Sequence, residues 1–378
     1  MMSSGRNDST SKPVHIGITG INGLLGWHLR CYFKAFPDLI IHGADKSTFE
    51  NMERLTAFVG NCDAIVHFAG MNRGEEDLIE ATNVRLADSL VKACEVRGRL
   101  PHITFASSTH INRNTAYARS KRMARDILMN WSARTGAKVT IMVLPNVFGE
   151  AGKPFYNSVV STFAYQIAKG ETPKVEIDRE MELLHAQDVA TLTHNVIING
   201  KYGELRPGGS MITVTDLLNK LRIFSDEYKN DRLVDFSDPL DLALFNTLRY
   251  YLFPGYYPKR LEIRSDSRGE LYEAVKSVGG GQTFLSTTRP GVTRGNHFHY
   301  KKVERFLVVS GRAVIKIRKL FSERVESFEV AGSEPVYIDM PALHTHSITN
   351  TGDSDLITLF WSNSIYDPAT PDTVREQV

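Results

Sequence analysis

Residues 15–26 constrain this chain more than any other segment. A short apolar run, residues 15–19, leads into Gly20-Ile-Asn-Gly23-Leu-Leu-Gly26 and directly on into an amphipathic stretch, residues 24–36. Glycines at a strand-to-helix turn let the backbone bend tightly and approach a pyrophosphate, which the N–H groups and positive dipole end of the helix then hold. The spacing is GxxGxxG, and Gly20, Asn22, Gly23, Leu24 and Gly26 are the expected contacts to a dinucleotide. The alternation continues: residues 39–44, 63–68, 103–107 and 139–144 read as strands, residues 78–96 and 116–135 as helices. Strands apolar along their whole length, separated by crossover helices, predict a mostly parallel, doubly wound α/β sheet with helices on both faces. The second strand ends at Asp45-Lys46, where the adenosine ribose is read. An acid there favours the 2′-hydroxyl of NAD and a cation the 2′-phosphate of NADP; both are present, so the residues leave the choice open.

Composition narrows the classes. Lys and Arg total 45 against 43 Asp and Glu, a net charge of +2, which provides no basic field for nucleic acid. The longest apolar runs, such as residues 306–309, fall far short of the ~18 residues of a membrane span, so no membrane insertion is expected. Residues 1–13 are polar, lack the apolar stretch of a secretion signal, and read as a disordered tail. Cys31, Cys62 and Cys94 are an odd set without CxxC spacing, as in core thiols of a cytoplasmic protein. With 378 residues, two domains are expected, and the texture changes near Tyr257. Residues 14–256 carry the α/β alternation. Residues 257–378 show short alternating strands (283–286, 306–309, 313–317, 336–338, 357–361) between Gly, Pro, Asp and Asn turns, the pattern of a small all-β barrel or jelly-roll. The aromatic stretch at residues 250–258 (YYLFPGYYP) reads as a packed connection between them.

Tyr117-Ala-Arg-Ser-Lys121 places a phenol and an ammonium on one helix face. A lysine so placed is expected to lower the phenol's pKa, so that it gives a proton to a carbonyl as hydride arrives. Ser107-Ser108-Thr109 follows a strand end and supplies hydroxyls for the same carbonyl. With these residues the chain resembles the nucleotide-sugar branch of the extended short-chain dehydrogenase/reductases, a Rossmann-type family. The matching pieces are the glycine turn, His67-Phe-Ala-Gly70, Asn83-Val84, the hydroxyl cluster, Tyr117-x-x-x-Lys121 and Pro145-Asn-Val-Phe-Gly149. The resemblance implies that Tyr117 is the acid, Lys121 its tuner and a cofactor contact, and Ser108, with Thr109 as the alternative, the carbonyl anchor. It also implies that Asn83 belongs to a proton relay, that Ala69 and Gly70 touch the cofactor, and that Asn146 touches the sugar nucleotide. Val143 stands where the family often has Arg.

His297-Phe-His299, Glu304 and, some forty residues on, Pro341-Ala-Leu-His344-Thr-His346 hold the sharpest signal. Two or three imidazoles plus a carboxylate match the ligand set of a divalent transition metal with an open position. The spacing resembles the two motifs of the cupin family, which makes His297, His299, Glu304 and His346 the ligands and leaves His344 spare. Leu343 replaces that family's usual Gly. The two halves together resemble the bifunctional capsule-biosynthesis enzymes of the CapF type, on stretches that include Lys153-Pro-x-Tyr-Asn-Ser158, Asp266-x-Arg-Gly269 and Pro371-Asp-Thr373. That likeness implies Zn2+, or another divalent transition metal, at the cupin, and NADP(H), or alternatively NAD(H), at the reductase. It implies a UDP-sugar substrate touched by Asn146 and Asn157, a homodimer, and two steps on a UDP-2-acetamido-2,6-dideoxy-4-keto-hexose: epimerisation at C3, then reduction at C4. Competing readings are a plain 4-ketoreductase with a structural cupin, iron in oxygen chemistry, and a redox-sensing binding protein, against which the Tyr117–Lys121 pair counts.

Overall fold

The computed structural model describes residues 12–369 and 372–378; most of the expected tail at residues 1–13 lies outside them. From the start, strands and helices alternate: β1 (Val14–Thr19), α1 (Leu24–Phe33), β2 (Leu39–Ala44), α2 (Lys46–Phe49), α3 (Met52–Gly60), β3 (Ala64–His67), α4 (Glu76–Arg97), β4 (His102–Ser108), α5 (Ala116–Thr135) and β5 (Val139–Leu144). The chain then forms β6 (Asn146–Phe148), α6 (Val159–Ala168), β7 (Glu180–His185), α7 (Ala186–Ile198), β8 (Gly203–Leu205), β9 (Ser210–Thr213), α8 (Val214–Lys229) and α9 (Pro239–Leu252).

Residues 12–145 and 188–208 make one compact unit. Its six-stranded sheet has the order β2-β1-β3-β4-β5-β8, parallel throughout. Alternation along a strand sends neighbours to opposite faces. Ile65 packs with Leu55, Leu90 and Leu128, while Ala64 and Val66 pack with Leu29, Phe33 and Ile197. Those two apolar layers are what the continuous apolar strands required. Strand order reverses direction at β1 and β3, so the crevice for a ligand opens at their carboxyl ends.

Residues 146–187 and 209–378 make the second unit. Its all-β part holds two five-stranded antiparallel sheets. One runs Lys259–Arg260, Val336–Met340, Glu304–Ser310, Leu356–Ser362, Gln282–Thr288; the other runs Val325–Ala331, Arg312–Lys319, His344–Asn350, Thr293–Phe298, Val374–Arg375. A single core extends from Phe148, Val160, Leu217 and Leu244 to Phe306, Ile315, Tyr337 and Trp361, so α6, α8 and α9 pack with the barrel. Within this unit Arg305 and Asp339 form a buried bidentate pair (2.7 and 2.9 Å), and the Tyr228 hydroxyl donates to the same carboxylate (2.6 Å). The aromatic stretch at 250–258 is packed inside this unit rather than between two domains: Tyr256 stacks on Tyr228, and Tyr257 is buried against it.

Candidate functional site

Gly20 turns the chain at the end of β1 with φ 68°, and a Cβ there would lie 2.8 Å from the Ala69 nitrogen. At Gly26 a Cβ would meet the Gly20 carbonyl oxygen at 2.4 Å, so the turn and α1 close together only without side chains. Gly23 is the N-cap of α1 and no side chain caps it, which leaves the first-turn N–H groups beside Asn22 and Leu24 for an anion. Thr19 joins the two strand ends: its hydroxyl accepts from the Ala69 N–H (3.1 Å) and bonds His67 Nδ1 (2.8 Å). Burial pushes His67 down to about 3, so that contact is made by a neutral imidazole. Asp45 spends its Oδ1 on capping α2, accepting from Ser47 Oγ (2.8 Å) and Thr48 N–H (3.1 Å); those bonds hold it below the usual carboxylate range. Lys46, beside it, is exposed and, among the described residues, pairs only with Glu50, at 3.7 Å.

Tyr117 and Lys121 occupy successive turns at the start of α5. Thr115 fixes that start, its hydroxyl accepting from the Ala118 N–H (3.2 Å). Lys121 Nζ donates to the Ala106 carbonyl (2.8 Å) and lies 5.7 Å from the Tyr117 ring centroid. Desolvation pushes the phenol up to about 12, the opposite of the expected lowering, and brings Lys121 down to about 8. The lysine is thus held by a carbonyl rather than by the phenol. Asn83 is buried and fully engaged: it accepts from the Met71 N–H (2.7 Å) and donates to the Met71 carbonyl and Ser120 Oγ (both 2.9 Å). Ser120 in turn donates to the Tyr117 carbonyl (2.8 Å), so Asn83 braces the start of α5 against the turn after β3. Gly70 abuts both; a Cβ there would come within 3.2 Å of Asn83 Oδ1 and 3.7 Å of Lys121 Nζ. Ser108 ends β4 half-buried, accepting from the His110 N–H at 3.2 Å.

Asn146 and Asn157 belong to the second unit. Asn146 donates to the Glu182 carbonyl (3.1 Å), tying β6 to β7, and Asn157 is exposed just before the N-cap of α6.

His297, His299, Glu304 and His346 offer four ligand atoms that all lie within 4.8 Å of one another. A bulge sets this up. Gly295 (φ 96°) and Asn296 (φ 55°) shift the register so that His297 sits directly opposite His346, and opposed residues share a face. A Cβ at 295 would lie 2.6 Å from the His346 carbonyl oxygen, so the bulge requires glycine. Glu304, at the head of a strand in the other sheet, reaches His299 Nε2 at 3.3 Å and His346 Nε2 at 3.5 Å. Burial works to raise the Glu304 carboxyl, yet the two imidazoles outweigh it and hold it well below its ordinary range. Burial pushes His297 down to about 4, with the neighbouring imidazoles adding to it. Burial also lowers His346, whereas Glu304 and Asp372 outweigh burial at His299 and raise it. Imidazoles around a carboxylate are the donor set of a divalent cation, which would take the place of the proton that His299 and Glu304 share. His346 Nε2 is buried without a hydrogen bond among the described residues, an orphan that a metal ion would satisfy. His344 is not in the group: it bonds the Ala342 carbonyl (2.8 Å) and packs against Phe253.

Two residues without a role in the sequence reading complete the wall of this site. The Asp372 carbonyl oxygen accepts from His299 Nδ1, which leaves Nε2 to face the cluster, and its carboxylate accepts from the consecutive N–H groups of Tyr300, Lys301 and Lys302 (2.7, 3.0 and 2.8 Å). Arg375 pairs with His297 across the sheet edge. Asp372 lies in the Pro371-Asp-Thr373 stretch of the resemblance, but no role could be read for it there; Arg375 acts through backbone pairing between distant segments, which leaves no sequence signal.

The NAD dependent epimerase/dehydratase family matches residues 16–205, and the polysaccharide biosynthesis C-terminal domain matches residues 264–374. A UDP-2-acetamido-2,6-beta-L-arabino-hexul-4-ose reductase of Pseudomonas aeruginosa is 29% identical over 94% of this chain and 96% of its own. Among solved structures, the capsular polysaccharide assembling protein CapF of Staphylococcus aureus is 30% identical, with TM-score 0.64 over 96% of this chain and 100% of that one. CapF with the inhibitor 3-isopropenyl-tropolone aligns at 28% identity and TM-score 0.59, over 97% of this chain and 100% of that one.

Proposed function

Since the chain belongs to the NAD dependent epimerase/dehydratase family and to the CapF type within it, we propose that it carries out two consecutive steps on one UDP-2-acetamido-2,6-dideoxy-4-keto-hexose. The first is epimerisation at C3 in the all-β region, which we read as a cupin; the second is NADPH-dependent reduction at C4 in the Rossmann unit, giving a UDP-6-deoxy-N-acetyl-talosamine. The observation that carries this reading is the four-donor cluster of His297, His299, Glu304 and His346, present in the same chain as the Tyr117–Lys121 pair.

A divalent ion at that cluster, which we take to be Zn2+, supplies Lewis acidity that makes the C–H beside a carbonyl acidic. Glu304 and the three imidazoles hold it, and Asp372 orients His299 for the task. Chemistry sets the order, because the C3 proton is acidic only while C4 is a ketone. In the reductase, the uncapped start of α1 binds the pyrophosphate of the dinucleotide that carries the hydride. Lys46 meets the 2′-phosphate, since Asp45 is committed to its own helix. Ser108 hydrogen-bonds the C4 oxygen and Tyr117 gives it a proton, while Asn83 and Ser120 hold the helix that presents the phenol. Asn146 and Asn157 bind the sugar nucleotide. The relatives support this: one is named as a reductase of a 4-keto UDP-sugar, and another is inhibited by a tropolone, a bidentate oxygen chelator of the kind that seeks metal ions.

Incubating the 4-keto UDP-sugar in D2O without nicotinamide tests the first step. Deuterium is expected at C3 with the metal-loaded protein and not after chelation; no exchange in the loaded protein refutes the epimerase and leaves a plain 4-ketoreductase. Tyr117→Phe is expected to stop nicotinamide oxidation and keep the exchange. A variant that still reduces at the wild-type rate removes Tyr117 as the acid.

A further inference from the structure

Beside the metal-ligand cluster the second unit holds a cavity of about 770 Å³, lined among others by Arg294, His297, Thr373, Arg375, Glu376 and Gln377. Its volume suits a ligand larger than a single sugar ring, within the ~300–1,000 Å³ common for small-molecule sites. We propose that Arg375 is the anion-binding residue of this cavity and that it grips the diphosphate of the nucleotide sugar while the sugar lies at the cluster.

Three observations converge on Arg375. Its backbone pairs with His297, and His297 pairs in turn with His346, so the guanidinium rises from the same sheet face as two of the cluster's imidazoles. Its guanidinium is exposed and makes no hydrogen bond or ion pair with any described residue. Two neighbouring arginines are already committed. Arg294 donates to Thr288 Oγ1 and to the Thr287 carbonyl (both 2.9 Å), bracing its own strand. Arg318 donates to the Ser322 carbonyl (3.1 Å) and pairs with Glu376 (3.3 Å), which neutralises that carboxylate of the cavity wall. Among the described residues lining the cavity this leaves the Arg375 guanidinium uncompensated, and its planar fork matches phosphate oxygens two at a time. The strand that carries it is held down by Asp372 on one side and by the Glu376 N–H to the Asn296 carbonyl (3.0 Å) on the other, so the cation is placed by backbone rather than by a mobile loop.

This inference rests on the reading that the cluster handles a nucleotide sugar, and its test has two arms that separate the two. In the first, Arg375→Ala is expected to raise the KM of the metal-dependent C3 exchange about 10- to 100-fold, the loss of one charge-assisted contact, with kcat changed less than about twofold; Arg375→Lys recovers part of it. In the second, cobalt-loaded protein is titrated with UDP and the 31P line widths are read. Paramagnetic broadening falls off steeply with distance, so only a diphosphate held close to the cluster responds. Broadening is expected in the wild type, to be lost in Arg375→Ala and largely kept in Arg375→Lys. An unchanged KM together with intact broadening in Arg375→Ala overturns the assignment. Arg375-dependent broadening in a protein that shows no C3 exchange sinks the epimerase reading and leaves Arg375 as the diphosphate site.

Discussion

Lys121 carries its charge against the cost of burial, and that fixes the direction of its pH response. Its pKa is brought down from 10.5 to about 8, and kcat/KM reports ionisations of the free enzyme. The proposed nicotinamide-dependent reduction should therefore lose kcat/KM as pH rises through about 8, where the ammonium gives up its proton. Stability moves the other way: between about 8 and 10.5 the unfolded chain binds the extra proton, so Lys121 costs the fold less as pH increases. A fall in activity with no fall in the unfolding midpoint over that range identifies the lysine; a profile flat from pH 7 to 9 rejects its role. At this scale the sequence was informative about which residues meet and less so about how. The spacing of Tyr117 and Lys121 was legible, but the Ala106 carbonyl that holds the lysine belongs to β4 and has no side-chain signature. Leu343 shows the reverse. Where the cupin motif carries Gly, this leucine keeps the left-handed backbone (φ 59°) with its side chain fully buried. About 1–2 kcal/mol of backbone strain is offset by roughly as much apolar burial, so the turn survives the change of residue.

Elements were legible where one periodicity ran uninterrupted. Residues 39–44, 116–135 and 139–144 are β2, α5 and β5 to the residue, because strand alternation or helical spacing there meets no competing pattern. α3 went unassigned: only Leu55, Phe58 and Val59 of its nine residues are buried, too short a stripe to stand out. The strand Val374–Arg375 is shorter still and exists because Asp372 anchors it. That dependence makes Asp372→Ala informative. It strands the N–H groups of Tyr300, Lys301 and Lys302 and frees the segment that fixes the tautomer of His299. Metal affinity, measured by competition with a chromophoric chelator, is expected to fall about 10- to 100-fold, as for other partners that orient a ligating histidine. Equal affinity in variant and wild type shows that the strand is an ornament of the barrel's edge and not a part of the site.

At the scale of the whole chain, motif order suggested a break near residue 256, yet the cores are organised by another rule. The chain passes between its two units three times, at 145/146, 187/188 and 208/209, and residues 146–187 and 209–256 share one apolar core with the barrel. Sequence patterning marks elements, but it does not say which of two cores an element joins when both are apolar. Ligands should expose this organisation. A metal ion bound only in the native second unit stabilises that unit alone, by about 2.7 kcal/mol at a hundredfold excess over its Kd, and a dinucleotide does the same for the first unit. Calorimetry is expected to show two transitions. Chelation should lower one by several degrees and NADPH should raise the other. The chelator-sensitive transition should also be the one that drops in Asp339→Asn, since that change leaves Arg305 buried without its counter-charge, worth about 3–5 kcal/mol. If chelation and NADPH shift a single common transition instead, the two units unfold as one, and the metal-ligand cluster and the dinucleotide crevice are coupled through the fold's stability.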